Sequence, residues 1–461
     1  MLPFKPPLRV LMLFVAISTA FLYFALYRHD LDYLTAKILP LSKTDKLPEG
    51  TNLDDKASFI QAFLEHEIDG PFDPRPIQKV CASKKWNDNL TIVCGAPQGG
   101  IGNVRNVFLT CLRYAIEAGG WSPNSVPSTK LTVLGAFVVP EIVARDADDL
   151  SKLTTNNTVP FDHFFDLAHF KASLKTACPQ MALHDTPPGD LALNPPIVLS
   201  PQGLVPEVFA GAVILHPEKW RPAFDAWLLK HAPKSPGRST IALNTPLLNF
   251  PIHSDPAAFM TTFGRLLRIR EPCRRLAGAA VHALRTKHHI PITPIGITPS
   301  AFFGAHLRVA EDATKAGWTG YEQQAAFLLD FADEVKLKTL YVTSESKPAE
   351  TFRADAKKRG AVALAKEDLL DEAETKALRA MTWDQQALVD YEVLLRATAF
   401  GGIELSSFAW NVALRRHVVS KTGKKAWEEV EKGGGMNMKD EYSRLRGEKG
   451  AYPLFVEAMW P

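Results

Sequence analysis

At 461 residues the chain exceeds one ordinary domain, and two domains of the usual size are expected. Lys and Arg number 53 against 50 Asp and Glu, a net charge of +3 without a basic cluster, which excludes the electrostatic footprint of a nucleic-acid binder. Five cysteines with no CxxC pair and no Cys/His cluster exclude a structural zinc site and allow two disulfides plus one free thiol.

Residues 1–9 carry Lys5 and Arg9 and precede an uncharged run of 18 residues, Val10 to Tyr27, just long enough as a helix to cross a bilayer. Arg28, Asp30 and Asp32 follow, so the positive excess lies on the N-terminal side and places that tail in the cytosol. A cleaved signal peptide is the competing reading; the run is long for one and no small-x-small cleavage site follows. The sequence therefore predicts an uncleaved transmembrane signal-anchor (10–27), a polar stem (28–57) and a luminal remainder. Asn89-Leu90-Thr91 and Asn156-Asn157-Thr158 are glycosylation triplets, weak evidence singly.

An amphipathic run from Ser58 to Ile68 opens the globular part. Leu90 to Cys94 reads as a buried strand entering a turn with Gly99, Gly100 and Gly102; Val104 to Ala118 reads as a helix and Leu131 to Val139 as the next strand. Strand, turn, helix, strand is the signature of a parallel α/β layer. The Asp146-Ala147-Asp148 triplet sits in a polar, surface-like stretch and is not read as a metal site. Pro187 to Pro206 and Pro233 to Pro256 are crowded with Pro and Gly and read as long ordered loops that shape an acceptor site. Pro222 to His231 is a short helix, and Met260 to Leu284 a longer one that Pro272 should kink or break. Arg265, Arg268, Arg270, Arg274 and Arg275 in and around that helix read as a solvated face.

From about Ala301 the α/β rhythm restarts. A strand ends in His306-Leu307-Arg308, and a helix from Tyr321 to Val335, a strand from Thr339 to Ser344 and a helix from Ala349 to Arg359 follow. Asp384 to Ala397 is helical, Phe400 to Ile403 a short buried strand, and another helix begins at Ala409. Gly433-Gly434-Gly435 reads as a linker to a C-terminal helix. The expected division is an N-terminal Rossmann-like domain over 58–295 and a C-terminal one over 296–461.

Three places have the residue types for anion chemistry. Gly99, Gly100 and Gly102 let a backbone turn tightly and approach a ligand, though a plain strand-to-helix turn needs the same residues; Asn103 follows as an amide donor and acceptor or as an ordinary cap. His306 and Arg308 alternate at a strand end, where α/β sheets bind ligands, and an Arg there either grips phosphate or pairs with a carboxylate such as Glu311 or Asp312. Ser406, Ser407 and Phe408 precede a helix, so Ser407 either caps it or helps bind a phosphate at its N-terminus. Asp390, inside an apolar helix, needs a partner. Glu345, a carboxylate after a strand and at a helix entry, reads equally well as a site residue or as a complement to the helix dipole.

The order Asp390, Gly401, Ser406, Ser407, Phe408, Asn411, Ala413, Arg415 resembles the last motif of the GDP-fucose protein O-fucosyltransferase family, its plant and fungal branches included. Gln98 to Arg105 and His306-Leu307-Arg308, the latter followed by Thr339 to Glu345, are similar to its earlier blocks in the same order. The blocks span about residues 90 to 420, with no matching motif between about 115 and 295. The resemblance implies two facing Rossmann-like domains of the GT-B type of glycosyltransferase. It implies inverting transfer of L-fucose from GDP-fucose to a hydroxyl of a secretory-pathway protein, in the Golgi or endoplasmic reticulum.

By that resemblance Arg308 contacts the donor diphosphate with His306 as its partner, Ser406 and Ser407 bind phosphates, Phe408 packs on the nucleoside and Asp390 lies near the base. Asn103 and the Gly99, Gly100, Gly102 turn serve the sugar and acceptor end, and Arg105 matches an Arg of the plant-like pattern approximately. No metal and no cofactor is expected. Some relatives carry a Glu in the first turn as general base; positions 98 to 103 have no carboxylate, so the expected catalysis is stabilisation of departing GDP by Arg308 and nearby NH groups. The rival readings are a fucosyltransferase acting on a glycan and a membrane-tethered lectin-like pseudoenzyme.

Overall fold

The structure, a computed structural model, describes residues 47, 50–87, 89–119, 136–146, 157–185, 195–231, 239–430, 437–447 and 454–461. The expected anchor, most of the stem, Asn156, Asp148 and the Gly433 to Gly435 turn lie outside them. Among the described residues no helix is long and apolar enough to cross a membrane.

Two largely parallel sheets form the two halves. The first contains β1 (Leu90–Cys94), β2 (Ala136–Val138), β3 (Ala182–His184), β4 (Ile197–Leu199) and β5 (Ser239–Leu243) in the order β3-β2-β1-β5-β4, every pair parallel. The second contains β6 (Phe303–His306), β7 (Thr339–Thr343), β8 (Val362–Leu364), β9 (Ala399–Ile403), β10 (Met438–Lys439) and β11 (Ser443–Arg446) in the order β8-β7-β6-β9-β11-β10. Among the described residues of this second sheet only the β10–β11 pair is antiparallel. The central strands are covered on both faces, which is why LTIVC, TLYVT and AFGGI read as continuous runs rather than alternating ones.

The helices that position the site are α1 (Lys56–Glu65), α2 (Ile101–Ala118), α3 (Glu271–Lys287), α4 (Tyr321–Glu334), α5 (Ser346–Lys358), α6 (Trp383–Leu395) and α7 (Ser407–Val418). Asp55 caps α1 through the Ser58 N–H, and Thr382 caps α6 through that of Gln385, each cap contributing about 1 kcal/mol. Helix α3 packs on α1 and on α6, so one apolar cluster runs from Phe59 in the first half to Tyr391 and Trp460 in the second. Disulfides join Cys81 to Cys178 and Cys94 to Cys111, and Cys273 is a buried free thiol.

Two expectations are corrected and a third is relocated. The Pro-rich stretches are not purely loops: β4 and β5 lie inside them, and β5 pairs with β1 along its whole length, from Leu90 with Ser239 to Cys94 with Leu243. Pro and Gly on both sides hide these short runs, yet the sheet needs them. The break expected at Pro272 is present but falls just ahead of it: Pro272 sits in the first turn of α3, where its missing N–H is no loss, and the stretch from Met260 is interrupted over 264–270. The arginine run is not a solvated face. Arg274 is 2% exposed, it pairs with Glu67 at 2.9 Å, and Arg268 reaches the same carboxylate at 3.2 Å. Burial pushes the Glu67 carboxyl up, but Arg274, Arg415, Arg268 and Arg396 outweigh it and hold it ionised.

Candidate active site

The C-terminal strand ends of the two sheets feed helices whose first turns meet. After β1 the chain turns through Gly99, at φ +95°, and Gly100 caps α2. A side chain at Gly99 would lie 2.6 Å from Asn103 Nδ2, so glycine leaves room for that amide to fold back over the turn. At Gly102 a Cβ would lie 2.8 Å from the Phe408 nitrogen and closer still to the Ser407 carbonyl. Backbone therefore touches backbone: the first turn of α2, from one half, is pressed against the first turn of α7, from the other. The two motifs farthest apart in the chain form one wall, with two helix N-termini bordering it.

Ser406 is the cap of α7, its Oγ accepting from the Ala409 N–H at 3.3 Å, and Ser407 is the first helical residue. Nε2 of His306, at the end of β6, lies 3.1 Å from the same Oγ. The His306 ring stacks on Phe408, with centroids 4.6 Å apart, and Tyr391 meets Phe408 edge-on at 5.7 Å. One face of Phe408 is therefore already covered by a residue of the site. Burial, with Arg308 adding its charge, pushes His306 down to about 3, so the ring is neutral. Its Nδ1 is buried and has no hydrogen-bond partner among the described residues. A buried polar atom of this kind is costly unless a ligand meets it.

Arg308 lies two residues beyond, past the end of the strand, so its direction is not set by strand alternation. Gln324 of α4 clasps its backbone, accepting from the Arg308 N–H and donating to its carbonyl, both at 2.9 Å. The guanidinium meets both oxygens of Asp312, at 2.6 and 2.5 Å, and lies 5.7 Å from the Trp318 ring centre. Burial raises Asp312, but Arg308 and Arg145 outweigh it and hold the carboxyl below its usual range. Arg145 reaches Asp312 from the first half at 3.0 Å, while its own backbone N–H donates to Asp384 Oδ2 at 3.0 Å. Burial pushes Asp384 up to about 6, against the Arg145 N–H and charge.

Two candidates have other partners. Arg105 is buried and donates to the carbonyls of Trp460 and Gly264, both at 2.8 Å, and to the backbone oxygen of Pro461. Its guanidinium ties residues 454–461 to the first half and does not enter the crevice. Asp390 accepts from Tyr341 at 2.6 Å and from Lys366 at 2.7 Å, which uses both oxygens inside the second half. Burial still raises it, less than it would without these partners. The expected need for a partner is met by a structural pair. Glu345 is an exposed cap residue at α5.

The sequence reading missed Arg145, Gln324, Asp384 and Tyr391. Only Asp312, four residues after Arg308, had a local signal. Among the described residues no group of three or more His, Cys, Asp or Glu is placed to hold a metal ion.

No family model matches the sequence, and no curated protein matches it. Solved structures do resemble the fold loosely. A crystal structure of POFUT1 in complex with GDP shares 13% identity at a TM-score of 0.44, covering 78% of this chain and 99% of that one. Another crystal form, with GDP-fucose, shares 13% at 0.43 and covers 79% and 99%. A mutant of Arabidopsis thaliana FUT1 in complex with GDP shares 12% at 0.34 and covers 80% and 77%.

The seam thus combines two helix N-termini, a neutral histidine whose buried Nδ1 has no hydrogen-bond partner among the described residues, a guanidinium paired with Asp312 and an amide. Such a set offers hydrogen-bond donors and positive charge, the chemistry that a bound anion requires. The turn at 98–103 supplies no carboxylate.

Proposed function

We propose that the chain is an inverting glycosyltransferase that moves L-fucose from GDP-fucose to a hydroxyl of a secretory-pathway protein. The observation that carries this reading is the contact of Gly102 with the Ser407–Phe408 backbone. It joins the first and last of the motifs that resemble the O-fucosyltransferase family at one crevice, with His306 of the middle motif bonded to Ser406.

In the proposed reaction the diphosphate lies against the α7 N-terminus, with Ser407 and His306 Nδ1 as donors and Arg308 neutralising charge as the sugar–phosphate bond breaks. Asn103, above the Gly99 turn, orients the acceptor hydroxyl. Proton removal is late or indirect, since that turn has no carboxylate. No metal and no cofactor is required. The chain is further proposed to be a type II membrane protein with its catalytic part in the lumen of the Golgi or endoplasmic reticulum, held by 10–27.

The test is GDP release from GDP-fucose by the full chain over a panel of protein and glycan acceptors. Arg308→Ala is expected to lower turnover by about 3 kcal/mol of transition-state stabilisation, on the order of a hundredfold or more. Its melting temperature should hold, because Asp312 keeps Arg145. Near wild-type turnover in the variant would place the donor elsewhere. Absence of release by wild type under every acceptor would favour the pseudoenzyme reading.

A further inference from the structure

We infer that Arg145 is a second cation for the donor diphosphate, which it grips from the first half while Arg308 grips it from the second. The inference rests on the donor reading above and adds a residue outside every motif of the sequence. Its basis is the convergence of the two guanidiniums on the single carboxylate of Asp312, Arg308 at 2.6 and 2.5 Å and Arg145 at 3.0 Å. Two cations belonging to different halves of the molecule are held within the width of one anionic group. That spacing suits two planar forks sharing the oxygens of a diphosphate.

Arg145 is also fixed before any ligand arrives. Its backbone N–H is bonded to Asp384 at the first turn of α6, and its guanidinium lies 5.7 Å from the Trp383 ring centre. Its side chain is 5% exposed and that of Arg308 18%. A cation so held loses little freedom on binding. The backbone of Arg308 is two residues from His306, which is bonded to the α7 cap, so the proposed diphosphate spans from that helix N-terminus to the two guanidiniums at Asp312. A diphosphate lying between them has the helix N-terminus on one side and both guanidiniums on the other. Asp312 then acts as a positioning residue that keeps the two forks in register.

Titration calorimetry of the full chain with GDP, GMP and guanosine decides the matter. Arg145→Gln is expected to weaken GDP by about tenfold or more, GMP by less and guanosine not at all, since the lost bonds go to phosphate. Arg145→Lys keeps the charge but not the fork, and is expected to recover part of the GDP affinity. It also serves as the folded control if the glutamine variant melts early. Equal weakening of all three ligands would mean that Arg145 only holds the halves together, and unchanged GDP affinity would overturn the assignment while leaving the donor reading in place. If wild type binds no GDP, the donor reading itself fails and the clamp with it.

Discussion

The Ser406 hydroxyl is already engaged twice, by the Ala409 N–H and by His306, whereas Ser407, one residue further on, is the first residue of α7. Ser407→Ala should therefore weaken GDP and GDP-fucose alike, with little effect on stability. Asn103→Ala should leave GDP affinity intact and lower turnover, because its amide lies over the Gly99 turn at the proposed acceptor end. Calorimetry with GDP compares the two; equal affinity, or a loss confined to the Asn103 variant, would put the diphosphate at the other end of the crevice. The residues legible from sequence were those whose position follows from a local rule: a serine before a helix, a histidine at a strand end. Arg105 was not legible, since its acceptors Trp460 and Pro461 lie more than 350 residues away in sequence. Arg145 was hidden for the same reason, with Asp312 lying 167 residues on; Gln324 is only 16 residues from Arg308, but nothing in its helix marks it as the residue that meets that backbone.

The first turn of α6 is an element-sized joint between the halves. Thr382 lies 3.1 Å from Nε2 of His163, Gln385 donates to the His163 carbonyl at 3.1 Å, and Asp384 accepts from Arg145. Asp384 carries a folded-state pKa of about 6 against an ordinary 3.8, so its burial costs nothing below the lower value and progressively destabilises the fold as pH rises through 6. Asp384→Asn, which keeps an acceptor for Arg145, should therefore be more stable than wild type by about 2 to 3 kcal/mol above pH 7, with the two converging below pH 4. Urea melts across that range check it, and a variant less stable than wild type at pH 8 would show that the carboxylate is needed there as an ion. His306 shifts the other way. Depressed to about 3 from 6.5, it adds stability above 6.5 that is lost as pH falls toward 3, and this should be subtracted using a His306→Gln reference. At this scale the sequence was most readable where apolar runs were long and cleanly bounded, as for β1, β7, α2 and α6. β5 was lost because five residues between prolines look like loop until a neighbouring strand is known. The arginines near α3 were misread because their carboxylate, Glu67, sits about 200 residues earlier.

For the whole molecule, the division into two α/β halves follows from the order of elements, but the way they join does not. Helix α3 packs on α6, and the α2 and α7 N-termini touch, so the crevice is a seam within a shared core. The proposed topology has its own test. A tag at the N-terminus should be digested by protease added to sealed microsomes, while the exposed Asn89 should carry glycan. Protection of the tag would reverse the orientation and remove the proposed compartment.

Residues 454–461 bear on how the protein comes into being. Trp460 packs against Phe259 and Phe263, and its backbone is bonded to Arg105, Asn106 and Asn411. The first half thus borrows part of its interior from a segment synthesised almost 200 residues after Phe263. At ordinary elongation rates of roughly 5–20 residues per second, the wait is on the order of ten seconds or more. During it the nascent first half presents an open aromatic socket and an arginine that lacks two of its three carbonyls and has only that of Gly264, so it stays exposed to misassembly until the ribosome delivers its plug.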